Sequence, residues 1–193
     1  MFKLLKHLYW DLKHRDGRFI YLQAMLREVP GEFGVQLRSR IYARYFGRIG
    51  KRLRILNDVR IRNINLIEAG DDLSLGDCCF IQAAGGIEFG DDVILGPGVK
   101  IWSANHRFED TSRSIAEQGY EYKKVTIGNH VWIGANAFIM PGASVGDGVI
   151  ISAGAVLGAK PIPPYKLVAG NPARVIGARE APAEVTEQPS REE

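Results

Sequence analysis

An all-β core, a left-handed parallel β-helix of hexapeptide repeats with an N-terminal helical cap and an inserted loop, is the fold class this sequence predicts. Three observations carry it. Aliphatic residues recur at a six-residue interval through most of the chain, glycine or a small polar residue follows many of them, and residues 1–48 show a helical spacing instead.

The N-terminal segment comes first. Phe2, Leu4, Leu5, Leu8, Tyr9 and Leu12 fall near one helical face, with Lys3, Lys6, His7, Lys13 and His14 mostly elsewhere, so the first helix is amphipathic and basic. A second helical pattern runs from about Arg18 to Glu28 and stops at Pro30. A third spans roughly Phe33 to Phe46 and brings in Arg38, Arg40, Arg44 and Arg48. As the terminal unit of a solenoid, these helices are expected to cap the first coil and hide its open edge. The first helix also suits a peripheral contact with an anionic membrane surface, because a capping helix and a membrane-docking helix need the same apolar face.

Residues 49–177 are expected to form the β-helix. The anchors are Ile49, Ile55, Ile61, Ile67 and Leu73, then after a two-residue shift Leu75, Ile81 and Ile87, and after a second shift Phe89, Leu95 and Ile101. After an interruption the run resumes at Ile127, Ile133, Ile139, Val145, Ile151 and Leu157. In this late stretch the anchor is followed by Gly128, Gly134, Gly146 and Gly158, with Met140 and Ser152 as exceptions. Val131, Ala137, Ala143, Val149 and Ala155 occupy the fifth position of each unit, counting the anchor as first. A six-residue unit is too short for a helical repeat, and an amphipathic helix would space its apolar residues by about three and four. Three short strands joined by tight turns make a triangular coil of about 18 residues, with anchors pointing inward and glycines easing the corners. Such coils stack at roughly 4.8 Å. A β-sandwich would set no six-residue register.

Residues 102–124 interrupt the repeat with a polar insertion, and long loops thrown out of a rigid scaffold commonly carry function. Beyond Leu157, Pro161-Ile162-Pro163-Pro164-Tyr165 makes a stiff exit from the helix. The acidic residues 178–193 read as a mobile tail.

Composition bounds the function. At 193 residues and 46% hydrophobic the chain can bury one core. Lys and Arg number 25 against 22 Asp and Glu, with the excess lying before Arg62, and no nucleic-acid partner is expected. The adjacent Cys78 and Cys79 cannot bridge each other without strain and have no metal-ligand spacing. That fits a reduced compartment. No apolar run approaches the roughly 18 residues of a membrane span, and a signal-peptide core is lacking. A cytoplasmic location follows, free or peripheral on the inner membrane surface.

His106 follows the last regular hexad before the insertion, so a rigid strand fixes its backbone while the loop exposes its ring. A sugar hydroxyl is a poor nucleophile at neutral pH, and an imidazole can take its proton as it attacks a thioester. Glu109 and Asp110 stand close enough in sequence to orient that ring. His7 and His14 belong to the first helix, and His130 occupies a wall position suited to packing against a neighbouring subunit. A phosphate loop, dinucleotide fingerprint, zinc motif and nucleophile elbow are all missing, which favours direct transfer in a ternary complex without metal.

Residues 75–177 resemble the hexapeptide-repeat acyltransferases, in the branch of galactoside, maltose and nodulation-factor O-acetyltransferases and the related capsule and O-antigen enzymes. The matching stretches are Phe89-Gly90-Asp91-Asp92-Val93, Leu95-Gly96-Pro97, Trp102 through His106, Val125 through Gly134, and Gly170-Asn171-Pro172-Ala173-Arg174. The resemblance implies a homotrimer with sites between neighbouring helices, acetyl-CoA laid along the groove, and His106 as base. It puts Trp132 at the edge of the reaction site, Ala135 and Ala153 beside the pantetheine, and Lys160 and Arg174 on the nucleotide phosphates. Cations there suit a triphosphorylated cofactor. Lys124 departs from a common proline, and the acceptor-binding segment has no clean counterpart around Gln82. The helical N-terminus favours the capsule and O-antigen type.

Acetyl transfer to a sugar or surface-polysaccharide hydroxyl is therefore the expected activity. N-acetylation of an amino-sugar nucleotide and serine acetylation are the alternatives on the same scaffold. A non-catalytic assembly subunit would have no use for His106 together with the Arg174 motif.

Overall fold

The computed structural model describes residues 2–180. The expected mobile tail therefore lies, from residue 181 onward, outside the described residues.

Three helices open the chain, α1 (Phe2–Lys13), α2 (Arg15–Leu26) and α3 (Gly31–Tyr42). The second and third begin and end earlier than their hydrophobic spacing suggests. His14 is extended and separates α1 from α2, where Gly17 runs so close to the Asp11 carbonyl that a side chain would not fit. Pro30, also extended, caps the start of α3.

The chain then winds as a three-walled parallel column. The first wall stacks Arg54–Ile55, Ser74–Leu75, Ile94–Leu95, Trp132–Ile133, Ile150–Ile151 and Lys166–Ala169. The second stacks Arg60–Arg62, Phe80–Gln82, Lys100–Trp102, Phe138–Ile139 and Val156–Leu157. The third stacks Ile67–Ala69, Ile87–Phe89, Val125–Ile127 and Ser144–Val145. Inward residues are in register from coil to coil. Ile55, Leu75, Leu95, Ile133 and Ile151 form one buried ladder, and Ile61, Ile81, Ile101, Ile139 and Leu157 another.

The first phase shift falls elsewhere than the anchor run suggests. Third-wall strands carry two inward residues each, Ile67 with Ala69, then Ile87 with Phe89, so the extra pair enters at Ile67/Ala69 and not at Leu73/Leu75. Leu73 is buried two residues ahead of the anchor, as are Val93, Val131 and Val149.

The glycines also act differently from the expectation. Those after the anchors have ordinary φ values, and the left-handed corner position comes third after the anchor, at Asp92, His130 and Asn136 among others. Glycine is needed where coils touch. A Cβ on Gly134 would lie 2.5 Å from the Ala153 nitrogen, and one on Gly96 2.8 Å from the Ala135 nitrogen. Side chains reinforce one corner as a ladder: the Asp71 carboxylate accepts the Lys51 N–H at 2.8 Å, Asp91 that of Asp71 at 2.7 Å, Asn129 that of Asp91 at 2.8 Å, and Asp147 that of Asn129 at 2.7 Å.

The first coil is covered by α2 and α3. Ser39 Oγ accepts the Ile55 N–H at 3.0 Å, the Arg27 carbonyl accepts that of Asp58 at 2.8 Å, and the Gln23 side chain accepts that of Ile61 at 2.6 Å. The fully buried Arg38 donates to the carbonyls of Leu26, Arg27, Val29 and Ile55, satisfying the end of α2 and the coil together. Phe19 and Tyr42 pack edge to face in this contact, with ring centroids 5.0 Å apart.

At the other end the column runs past Leu157. Ile162 is buried and bridges Val145, and Val168 completes the core. The strand Arg174–Ala178 then folds back antiparallel on Lys166–Ala169.

Candidate active site

The insertion is an ordered arm. Trp102 still belongs to the second wall, and the arm begins with Ala104–His106, which pairs antiparallel with Tyr120–Tyr122. Alternation of Tyr120 and Tyr122 across from Ala104 and His106 is a two-residue period that the polar composition conceals. A one-turn helix, α4 (Ile115–Gln118), shapes the tip through a capping box in which Ser114 and Glu117 engage each other.

His106 lies against the arm's return strand. Its ring and that of Tyr120 have centroids 4.3 Å apart and planes tilted by 37°. Glu109 and Asp110 do not orient it. The Glu109 carboxylate accepts the Phe108 N–H at 3.1 Å, and backbone N–H groups hold its carboxyl below the usual range. Asp110 accepts the Ser112 hydroxyl at 2.6 Å and its N–H at 3.0 Å, which lowers its carboxyl likewise. Both acids serve the loop's own turns.

Beneath the arm a cleft of about 320 Å³ is lined by His106, Tyr120, Tyr122, Trp102, Gln82, Phe80 and Arg62. Its floor is aromatic. Trp102 meets Phe80 and Phe138 edge to face at 6.1 and 5.4 Å, and the Arg62 guanidinium covers the Phe80 ring at 5.4 Å. The Gln82 amide oxygen is buried and has no donor among the described residues. Such a cleft offers apolar surface to a sugar ring, polar groups to its hydroxyls, and an imidazole at the rim.

The other expected site residues lie elsewhere on the chain. Ala135 and Ala153 stack on the corner between the first and second walls, joined by a 2.8 Å hydrogen bond from the Gly154 N–H to the Ala135 carbonyl. Among the described residues the Ala135 N–H and both backbone groups of Ala153 have no protein partner. Lys160 is exposed on the corner leaving the second wall, and Arg174 heads the closing strand, donating only to the Ala173 carbonyl at 2.8 Å. Neither cation pairs with a carboxylate among the described residues.

Trp132 stands on the first wall, 52% exposed, between Ile94 above and Ile150 below. Within one chain it does not join the His106 cleft. His130 is on a corner and not on a wall, with its Nδ1 3.1 Å from Asp92 Oδ2. Lys124, where the arm returns to the third wall, pairs with Glu88 at 2.7 Å. Sequence reasoning missed Tyr120, Tyr122, Phe80 and Arg62. The Tyr-Glu-Tyr alternation was the available signal for the first two, and nothing in the sequence marks Phe80 or Arg62.

Residues 124–159 match the family model described as bacterial transferase hexapeptide (six repeats). A galactoside O-acetyltransferase of Escherichia coli K12 is 39% identical over 90 residues, which cover 47% of this chain and 43% of that enzyme. The chain spans less than half the length of the first curated relatives it matches, between 37% and 46%. The solved structures match over more of their length. A maltose O-acetyltransferase from Clostridium difficile 630 is 31% identical with a TM-score of 0.70, covering 89% of each chain. A galactoside acetyltransferase in complex with coenzyme A is 26% identical with a TM-score of 0.75, covering 89% of this chain and 82% of that one. With the six-residue register, the three-walled column and the arm carrying His106, these likenesses establish that the chain belongs to the hexapeptide-repeat acyltransferase family, in its galactoside and maltose O-acetyltransferase branch.

Proposed function

We propose that the chain transfers an acetyl group from acetyl-CoA to a hydroxyl of a sugar or surface-polysaccharide precursor, by direct attack in a ternary complex. The observation that carries this reading is the aromatic, polar-lined cleft with His106 at its rim. The named activities of the similar enzymes and the coenzyme A in one of them supply the donor.

The donor presents a thioester carbonyl, and everything else falls to the chain. His106 removes the hydroxyl proton as the oxygen attacks that carbonyl. The new C–O bond forms, the C–S bond breaks, and the imidazolium returns its proton to the departing thiolate. Trp102 and Phe80 carry the sugar ring, while Gln82 meets its hydroxyls. The free backbone groups at Ala135 and Ala153 suit the amides of a pantetheine arm, and Lys160 and Arg174 suit its phosphates.

The walls support a trimer. Outward residues of the third wall are polar, Glu68, Glu88, Thr126 and Ser144, whereas the first carries Ile94, Trp132 and Ile150 and the second Phe80, Trp102 and Phe138. Two unlike walls, each with an apolar patch among polar outward residues, fit a cyclic assembly in which the first wall of one copy faces the second wall of the next. Trp132 of one copy then borders the His106 cleft of its neighbour.

Incubating the protein with acetyl-CoA and a panel of sugar acceptors, read by thiol release, tests the activity. Acceptor-dependent release with a new O-acetyl ester on the product is expected. Light scattering tests the assembly, and a fully active monomer would remove the shared site.

A further inference from the structure

The helix α1 does not share in the capping. α2 and α3 bury Phe19, Val35 and Tyr42 against the first coil, while Leu4, Leu5, Leu8, Tyr9, Trp10 and Leu12 of α1 are all exposed, Leu4 by 75%. At 100° per residue, Leu4, Leu5, Leu8, Tyr9 and Leu12 share one half of the helix with Asp11 at its edge, and Lys3, Lys6, His7, Trp10 and Lys13 share the other. Two contacts tie α1 to α2, at the edge of its apolar half and at its end. Tyr21 donates to the Asp11 carboxylate at 3.1 Å, and Arg18 reaches the carbonyls of Leu12 and Lys13 at 3.2 and 3.1 Å. The apolar half is left uncovered. Met25 of α2, 75% exposed, adds to the uncovered apolar surface.

We infer that α1 is a membrane-surface helix, laying its leucine face into the interface of an anionic bilayer with its lysines at headgroup level. Charge selects this occupant. Over α1 and α2 there are five cations, Lys3, Lys6, Lys13, Arg15 and Arg18, against the acids Asp11 and Asp16. A strongly segregated apolar face beside a lysine-rich polar face is the pattern of helices that lie in the headgroup boundary. With 12 residues α1 is too short to cross, and no described helix is long and apolar enough to do so.

A second copy of the chain fits this face less well. A helix of this length measures about 18 Å, and one side of it falls short of the roughly 800 Å² per partner that a stable protein interface uses.

Beside α2 a groove of about 560 Å³ is lined by Ile20 and Ala24 on the helix and by Arg62 and Phe80 on the second wall. Arg62 and Phe80 line the His106 cleft as well. The groove beside α2 and the His106 cleft thus share an edge at Arg62 and Phe80.

Sedimentation with vesicles of phosphatidylcholine, alone or with a minority of phosphatidylglycerol, tests the inference without any enzyme assay. The wild-type chain is expected to sediment with the anionic vesicles, to stay in solution with the neutral ones, and to be released by salt. Leu4→Asp with Leu8→Asp, both at exposed positions, should cut vesicle binding at least tenfold while circular dichroism and molar mass stay the same. Lys3→Gln with Lys6→Gln should weaken it and flatten its salt dependence. Absence of wild-type binding overturns the inference. So does a leucine variant that binds as the wild type does, or one whose molar mass falls, which would make this face a contact between copies.

Discussion

His106 and Tyr120 face each other across the two strands of the arm, 4.3 Å between ring centroids, so the imidazole is oriented by packing where the neighbouring carboxylates turn away. His106→Ala should lower kcat by about 10²- to 10⁴-fold with the fold intact, because an exposed arm residue contributes little to the core. Tyr120→Ala should cost about tenfold or more in kcat through misplacement of the ring, and Tyr120→Phe should restore most of it. Wild-type kcat in Tyr120→Ala would show that the contact positions nothing.

Lys160 and Arg174 carry exposed cations without carboxylate partners among the described residues, and their interaction with phosphates changes little between ground and transition states. Alanine at either position should raise the KM for acetyl-CoA several-fold with kcat largely kept. A collapsed kcat at unchanged KM would put the cofactor groove elsewhere.

Two glycines that follow anchors in the same way should differ in tolerance. A Cβ on Gly134 meets the Ala153 nitrogen at 2.5 Å and the Ile151 carbonyl oxygen at 2.9 Å, whereas one on Gly158 meets nothing within 4 Å. Gly134→Ala should destabilise the protein by about 1–3 kcal/mol or more, as overpacking does. Gly158→Ala should leave the urea midpoint nearly unchanged. Equal effects from the two would refute close coil contact as the reason for glycine.

The two cysteines should react differently. Cys78 is exposed, but Cys79 points into the column, its thiol donating to the Gly96 carbonyl at 3.3 Å, and burial pushes that thiol up to about 12. Because the thiolate is the nucleophile, maleimide at neutral pH should label Cys78 alone in the native protein and both residues in urea. Mass spectrometry of the peptide would show it.

The column was legible because its period is simple. Ile127, Ile133, Ile139, Val145, Ile151 and Leu157 alternate inward without slippage, and each is buried in the structure. The early coils were harder. Ile55, Leu75 and Leu95 repeat every 20 residues while Ile133 and Ile151 repeat every 18, and the difference lies in third-wall strands that bury two residues each. Position in the sequence also pointed to His106 at the start of the insertion, and the structure has it lining the cleft. Position did not disclose the cleft itself, because Arg62, Phe80, Gln82 and Trp102 come from three successive coils and meet only when those coils stack in register. Glu109 and Asp110 misled for the converse reason, since proximity in a loop says nothing about where a side chain finds its hydrogen bonds. The helices misled in part, because one apolar stripe cannot tell a buried face from an uncovered one, and α1 and α2 have opposite fates.

A parallel stack carries nothing in its own geometry that limits its length, since each coil offers the next the same unpaired edge that it covers itself. Here growth is stopped at both ends by different means. Ser39, Gln23 and Arg27 occupy the N–H groups of the first coil, and the hairpin of Lys166–Ala169 with Arg174–Ala178 reverses direction where another parallel strand would add. The protein is in this sense a fibre cut to one unit, and its solubility depends on these two stoppers as much as on surface charge. Ending the chain after Pro164 removes one of them and bares the edge of Ile150–Ile151. With the first coil still covered by the helices, such a chain has one bare edge and should pair tail to tail, its mass by light scattering rising toward twice that of the untruncated chain with concentration and stopping there.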